Sequence, residues 1–140
     1  MNTAKQPLLD FRTDGPIAVG TIRASSVLSA INVAEFGSEV LAYIKAHPRV
    51  NLLLNFENVD YLSSAVLTEL LRINKAIQET GGRLHLCSVS ATIREIFEIT
   101  NLDRIFVING DSVDAAVRKF KRSIEIAAAE AAWKEPAEPA

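Results

Sequence analysis

The chain has a single cysteine, Cys87, so it holds no internal disulfide and falls outside the disulfide-stapled class of small secreted domains. Histidine is almost as scarce. His47 sits beside Pro48 at a helix end and His85 lies inside an apolar strand pattern, and neither has a carboxylate or cysteine at ligand spacing. No metal and no cofactor is therefore expected. Gly-rich phosphate loops are missing; Gly81-Gly82 stands alone after a helical stretch, where it reads as a stop signal. A Ser/His/Asp triad could still assemble in space, but the Gly-x-Ser-x-Gly elbow is absent around Ser63 and Ser64. The acidic residues are scattered. These absences argue against an enzyme.

Membrane and nucleic-acid partners lack support in the same way. No apolar run approaches the ~18 residues of a membrane span, and the opening MNTAKQPLLD has no apolar centre long enough for a signal peptide. A formal net charge of −2 gives no electrostatic reason for contact with nucleic acid or an anionic lipid surface. The expectation is a cytoplasmic protein with no nucleic-acid partner and no direct membrane insertion.

What remains is an ordinary globular composition, 140 residues with 49% hydrophobic and 23% charged, enough for one domain with a buried core. Residues 8–12 read as a strand, Asp14-Gly15 as a turn, and Ile17 to Arg23 as a second strand of a hairpin. Residues 24–31 read as a loop leading to a helix. Asn32 and Glu35 open that helix with capping-box spacing, and Pro48 stops it. Val50 to Phe56 is a dense apolar strand, of the kind covered on both faces. In the next helix, residues 64–79, Leu67, Leu70, Leu71 and Ile77 line one side, and Leu70 and Leu71 are predicted to be core. Arg83 to Val89 is a strand; Ser90 caps a short helix that Asn101 closes; Ile105 to Ile108 is a last strand. Asp111 starts a final helix carrying Val113, Ala116, Val117 and Phe120.

From residue 50 onward strands and helices alternate, with connections short enough to make neighbouring strands parallel. The predicted fold class is α/β: a mixed sheet of about five strands with helices packed against it and the hairpin as an antiparallel edge. The expected organisation is an N-terminal extension over 1–7, one domain over 8–122, and a tail over 123–140. That tail favours helix through IEIAAAEAAW, and its Pro- and Glu-rich end KEPAEPA is expected to be disordered.

The stretch NVDYLSSAVLTELLRINKAI, residues 58–77, is where chemistry could concentrate, because two serines meet the start of an apolar-striped helix. Ser63 or Ser64 can serve as the helix N-cap, which stabilises by about 1 kcal/mol and needs no further function. A modified serine is the competing reading. Elsewhere, Cys87 reads as a small core residue, and His85 as a packed or partly exposed side chain on the sheet face opposite Leu84 and Leu86. Arg118, Lys119, Lys121 and Arg122 read as a solvated basic face, and Trp133 either docks on the body or mediates self-association.

The series NLLLNFENVDYLSSAVLTELLRINKAIQETGGRLHLCSVSATIREIFEITNLDRIFVI resembles the STAS domain family, of the anti-sigma factor antagonist type. Phe97, Glu98, Ile99, Leu102 and Phe106 match the ending that this family typically shows. The resemblance runs from about residue 8 to 122 and implies a STAS-like mixed sheet. It implies a non-enzymatic regulator that binds an anti-sigma factor or serine-kinase-like protein, and a homodimer is possible. Partner contact would fall on Asp60, Tyr61, Ser63, Ser64 and Ala65. In such antagonists the motif commonly reads Asp-Ser-Ser-Gly, with its second serine phosphorylated by an ATP-using kinase. Aligned without gaps, the family's Asp falls on Ser63, its first serine on Ser64, its acceptor on Ala65 and its glycine on Val66. Ser64 is therefore the phosphorylation candidate only as the hydroxyl nearest the empty acceptor position. Two other roles stay open: an adaptor module of a membrane lipid transporter complex, or a small-ligand or nucleotide-binding STAS domain.

Overall fold

The computed structural model describes residues 8–23, 33–109 and 112–134. The expectations for the N-terminal extension, residues 24–31, Asn32, Asp111 and residues 135–140 lie outside them. Five strands form one sheet in the order β1-β2-β3-β4-β5. Strand β1, Leu9–Asp14, pairs antiparallel with β2, Ile17–Ile22, and Gly15 takes φ +61° in the tight turn between them. Strands β3 (Asn51–Asn55), β4 (Arg83–Cys87) and β5 (Val107–Ile108) then add in parallel. The chain is thus α/β with a mixed five-stranded sheet, as the alternation of elements predicts.

Because side chains alternate along a strand, the register sorts residues onto two faces. Ala18, Ile22, Leu52, Leu54, Leu84 and Leu86 look one way and are buried under three helices: α1 (Val33–Ala46), α2 (Ser64–Glu79) and α3 (Ala91–Ile99). Ile17, Val19, Leu53 and Cys87 look the other way, against Ala116, Val117 and Phe120 of α4, Val113–Lys134. Strand β3 is therefore covered on both faces, which explains its unbroken apolar run. His85 joins this second layer. It is only 8% exposed, and its ring stacks on Phe120 at 3.7 Å.

Helix α2 ends as its sequence suggests. Gly81 takes φ +83°, its N–H donates to the Gln78 carbonyl and that of Gly82 to the Ile77 carbonyl, the paired bonds that close a helix on glycine. Ser90 caps α3 by accepting from the Ile93 N–H, and Asn101 turns left-handed at φ 61°. Two details differ from the sequence reading. Leu71 is 38% exposed rather than core; the buried stripe of α2 is Val66, Leu70, Ile73 and Ile77, and Leu71 lies about 100° round the helix from Leu70. The last strand is only two residues long, because Leu102–Arg104 form a 3-10 turn that carries Ile105 out to the surface.

Candidate functional site

The serine stretch leaves the C-terminal end of β3 through a loop whose path is set by alternate burial. Phe56, Val59 and Leu62 are buried in the core, and between them Glu57, Asn58, Asp60 and Tyr61 face solvent. Three hydrogen bonds hold the loop. The Phe56 N–H donates to the Cys87 carbonyl at 2.9 Å, the Val59 N–H to the Phe56 carbonyl at 2.9 Å, and Asn58 Nδ2 to the Ile22 carbonyl at 3.1 Å. Below them, buried Asn55 donates to Thr21 Oγ1 at 3.3 Å and accepts from the Glu57 N–H at 3.1 Å.

The structure separates the two serines. Ser63 has extended backbone, φ −93° and ψ 166°, and its Oγ accepts from the Val66 N–H at 3.3 Å. It is the N-cap, and it is half-buried. Ser64 is the first helical residue and is exposed; its hydroxyl makes no hydrogen bond among the described residues. Ala65 is exposed beside it, and Val66 turns into the core. Asp60, Tyr61, Ser64 and Ala65 thus all face solvent, with Tyr61 67% exposed. No acidic side chain occupies the first turn of α2, so its free amides carry an unopposed positive end.

Sequence reasoning passed over Asn55 and Asn58, which tie the loop to β2. A polar residue ending an apolar strand was the only local signal. The other flagged residues lie elsewhere. Cys87 is buried, with its Sγ 3.9 Å from Asn55 Oδ1. Burial pushes His85 down to about 4, with the nearby Arg83 charge adding to it, and its Nδ1 has no hydrogen-bond partner among the described residues. Lys121 bonds Asp14 Oδ1 at 3.1 Å, whereas Arg118, Lys119 and Arg122 are exposed. Trp133 is exposed and does not dock on the body among the described residues. Among the described residues no group of three His, Cys, Asp or Glu side chains is placed to hold a metal ion, and no helix is long and apolar enough to cross a membrane.

This fold, with its serine-capped helix after the third strand, is shared by a known domain family. The STAS domain family model matches residues 9–127. The chain belongs to that family, and it is of the anti-sigma factor antagonist type. BtrV of Bordetella bronchiseptica, named as an anti-sigma factor antagonist, is 31% identical over 98 residues, covering 70% of this chain and 83% of that protein. A Thermotoga maritima protein of the same description superposes with a TM-score of 0.72 at 21% identity, over 81% of this chain and 94% of that one. The Bacillus cell fate determinant SpoIIAA, an anti-sigma factor antagonist in its unphosphorylated form, gives 0.66 at 16% identity, over 81% and 96%.

Proposed function

We propose that this chain is a non-enzymatic cytoplasmic regulator that binds an anti-sigma factor or serine-kinase-like protein through Asp60, Tyr61, Ser63, Ser64 and Ala65. One observation carries the reading. The loop buries Val59 and Leu62 yet leaves Tyr61 uncovered next to the exposed start of α2, an apolar ring with no partner among the described residues. The likeness to proteins named anti-sigma factor antagonists supports the choice of partner. The readings as a lipid-transporter adaptor or a nucleotide-binding domain draw less support. The basic side chains that an anionic ligand would need, Arg83, Lys119 and Arg122, gather along α4 and not at the serine loop.

SpoIIAA has been solved both unphosphorylated and phosphorylated. In this chain Ala65 holds the acceptor position and has no hydroxyl to modify. The protein therefore binds its partner constitutively, unless Ser64 takes the phosphate. A phosphoryl group on Ser64 would add a charge of about −1.5 to −2 at the positive end of α2. The domain itself would tolerate it, and the cost would fall on a partner surface approaching the same residues.

The test has two parts. Pull-down from the native cytoplasm with Tyr61→Ala as control identifies the partner; recovery of a kinase-like protein by wild type but not by the variant supports the surface. The purified chain is then incubated with that kinase and ATP and weighed intact, the kinase being checked on another substrate. An unmodified mass supports constitutive binding. One phosphate, lost in Ser64→Ala and accompanied by loss of binding, overturns it.

A further inference from the structure

Helix α4 is longer than its contacts require. Its 22 residues span about 33 Å, from Val113 to Lys134, but its buried contacts end with Phe120 and the half-buried Ile124. Beyond them runs an alanine-rich segment on which Ile126 is 51% and Trp133 88% exposed. A helix segment this short is marginal in water without a packing partner. An exposed tryptophan near its end gives it something to pack.

The pattern on its outer face points to the partner. Lys119, Arg122, Ile126, Glu130 and Trp133 fall within an arc of about 80°, turned away from the face that Ala116, Val117 and Phe120 press on the sheet. Their order reads the same chemistry in trans. Around Ile126 as centre, Arg122 and Glu130 stand four residues to either side, and Lys119 and Trp133 seven residues to either side. Two such helices laid antiparallel place Ile126 against Ile126, Arg122 against the second copy's Glu130, and Lys119 over its Trp133. The Arg122–Glu130 and Lys119–Trp133 contacts then each occur twice, and the Ile126 contact once on the axis, as a two-fold interface demands. Within one chain Arg122 and Glu130 form no ion pair among the described residues.

We propose that the C-terminal half of α4 is a dimerisation helix, paired antiparallel with the same helix of a second copy of this chain. An acidic segment from another protein would pair with Arg122 but would meet a like charge at Glu130; a second copy pairs both. Lys119, Arg122, Ile126 and Glu130 line a shallow groove whose other wall is Arg83, the first residue of β4, and Lys121 reaches Asp14 at the β1–β2 turn. The seam thus lies at the end of the sheet opposite the serine loop, and pairing leaves both loops open. It is also short. A helix pair of this length buries less than the roughly 800 Å² per partner of a stable complex, so the dimer is weak, with a dissociation constant of micromolar order.

Sedimentation velocity over a concentration series, from low micromolar to several hundred micromolar, tests this on the full chain. The wild type is expected to shift from monomer to dimer, less readily in high salt. Arg122→Glu and Glu130→Arg each place two like-charge pairs across the seam and weaken the dimer by about tenfold or more. The double variant restores it, and an equimolar mixture of the two single variants forms a heterodimer. Residues eight apart on a helix do not touch within one chain, so rescue reports contact in trans. A monomer at every concentration overturns the proposal. So does a dimer indifferent to both charge reversals in variants whose far-UV spectra stay native.

Discussion

Replacing Ser63 by alanine separates the capping role from any role in modification. Ser63 Oγ accepts one N–H, that of Val66, at 3.3 Å. This is longer than the usual 2.9–3.0 Å, so the cap belongs in the lower half of the 0.5–2 kcal/mol range, at about 0.5–1 kcal/mol. For a domain of this size, with a urea slope of about 1.5–2 kcal/mol/M, that lowers the midpoint by roughly 0.3–0.6 M. The melting temperature should fall by about 3 °C. Ser63→Asp should keep most of the stability, since aspartate caps as well as serine. Ser64→Ala should change stability by less than about 0.5 kcal/mol, because its hydroxyl is unbonded and alanine favours helix. Urea titration followed by far-UV circular dichroism reads all three. If Ser64→Ala costs as much as Ser63→Ala, or aspartate fails to rescue, the assignment of the cap is wrong, and with it the claim that Ser64 is the free hydroxyl.

Two further predictions concern the core. Leu70→Ala should cost about 2–5 kcal/mol and Leu71→Ala less than about 1 kcal/mol in the same titration, since only Leu70 is fully buried; equal losses would put the helix phase in error. His85 is held neutral by burial, with a pKa of about 4 against 6.5 when unfolded. Between those values the unfolded chain binds the extra proton, so stability is whole above pH 6.5 and declines as pH falls towards 4. His85→Phe should flatten that part of the profile relative to wild type, and an unchanged difference across the window would mean that the imidazole is solvated.

The order of elements was legible because it rests on periodicity and punctuation, which act locally. Gly81 ends α2 through its own φ, and Ser90 caps α3 through a residue three positions on. What stayed hidden depends on partners far along the chain. With leucines at 67, 70 and 71, more than one apolar stripe could be drawn on α2, and only packing against the sheet selects the one through Ile73. The run IFVI looks like a strand whether or not it pairs, and the 3-10 turn before it leaves just two residues to pair with β4. Asn55 and Asn58 meet Thr21 and Ile22, 34 and 36 residues away, so no local pattern could reveal that they hold the loop. The choice between the serines turned on which backbone leaves the helix first.

That tethering has a thermodynamic consequence. The loop proposed above to dock the partner is tied to β2 through Asn58 and held in the core by Val59 and Leu62, so it has already lost most of the conformational entropy that docking would otherwise remove. Free and bound forms of the loop should then superimpose closely, so that this side of the proposed complex is preformed. Differences in affinity among partners would appear chiefly as differences in how long each complex lasts. Cutting the tether with Asn58→Ala would spare every contact residue and still weaken binding, by returning to the free state the freedom that the asparagine removes.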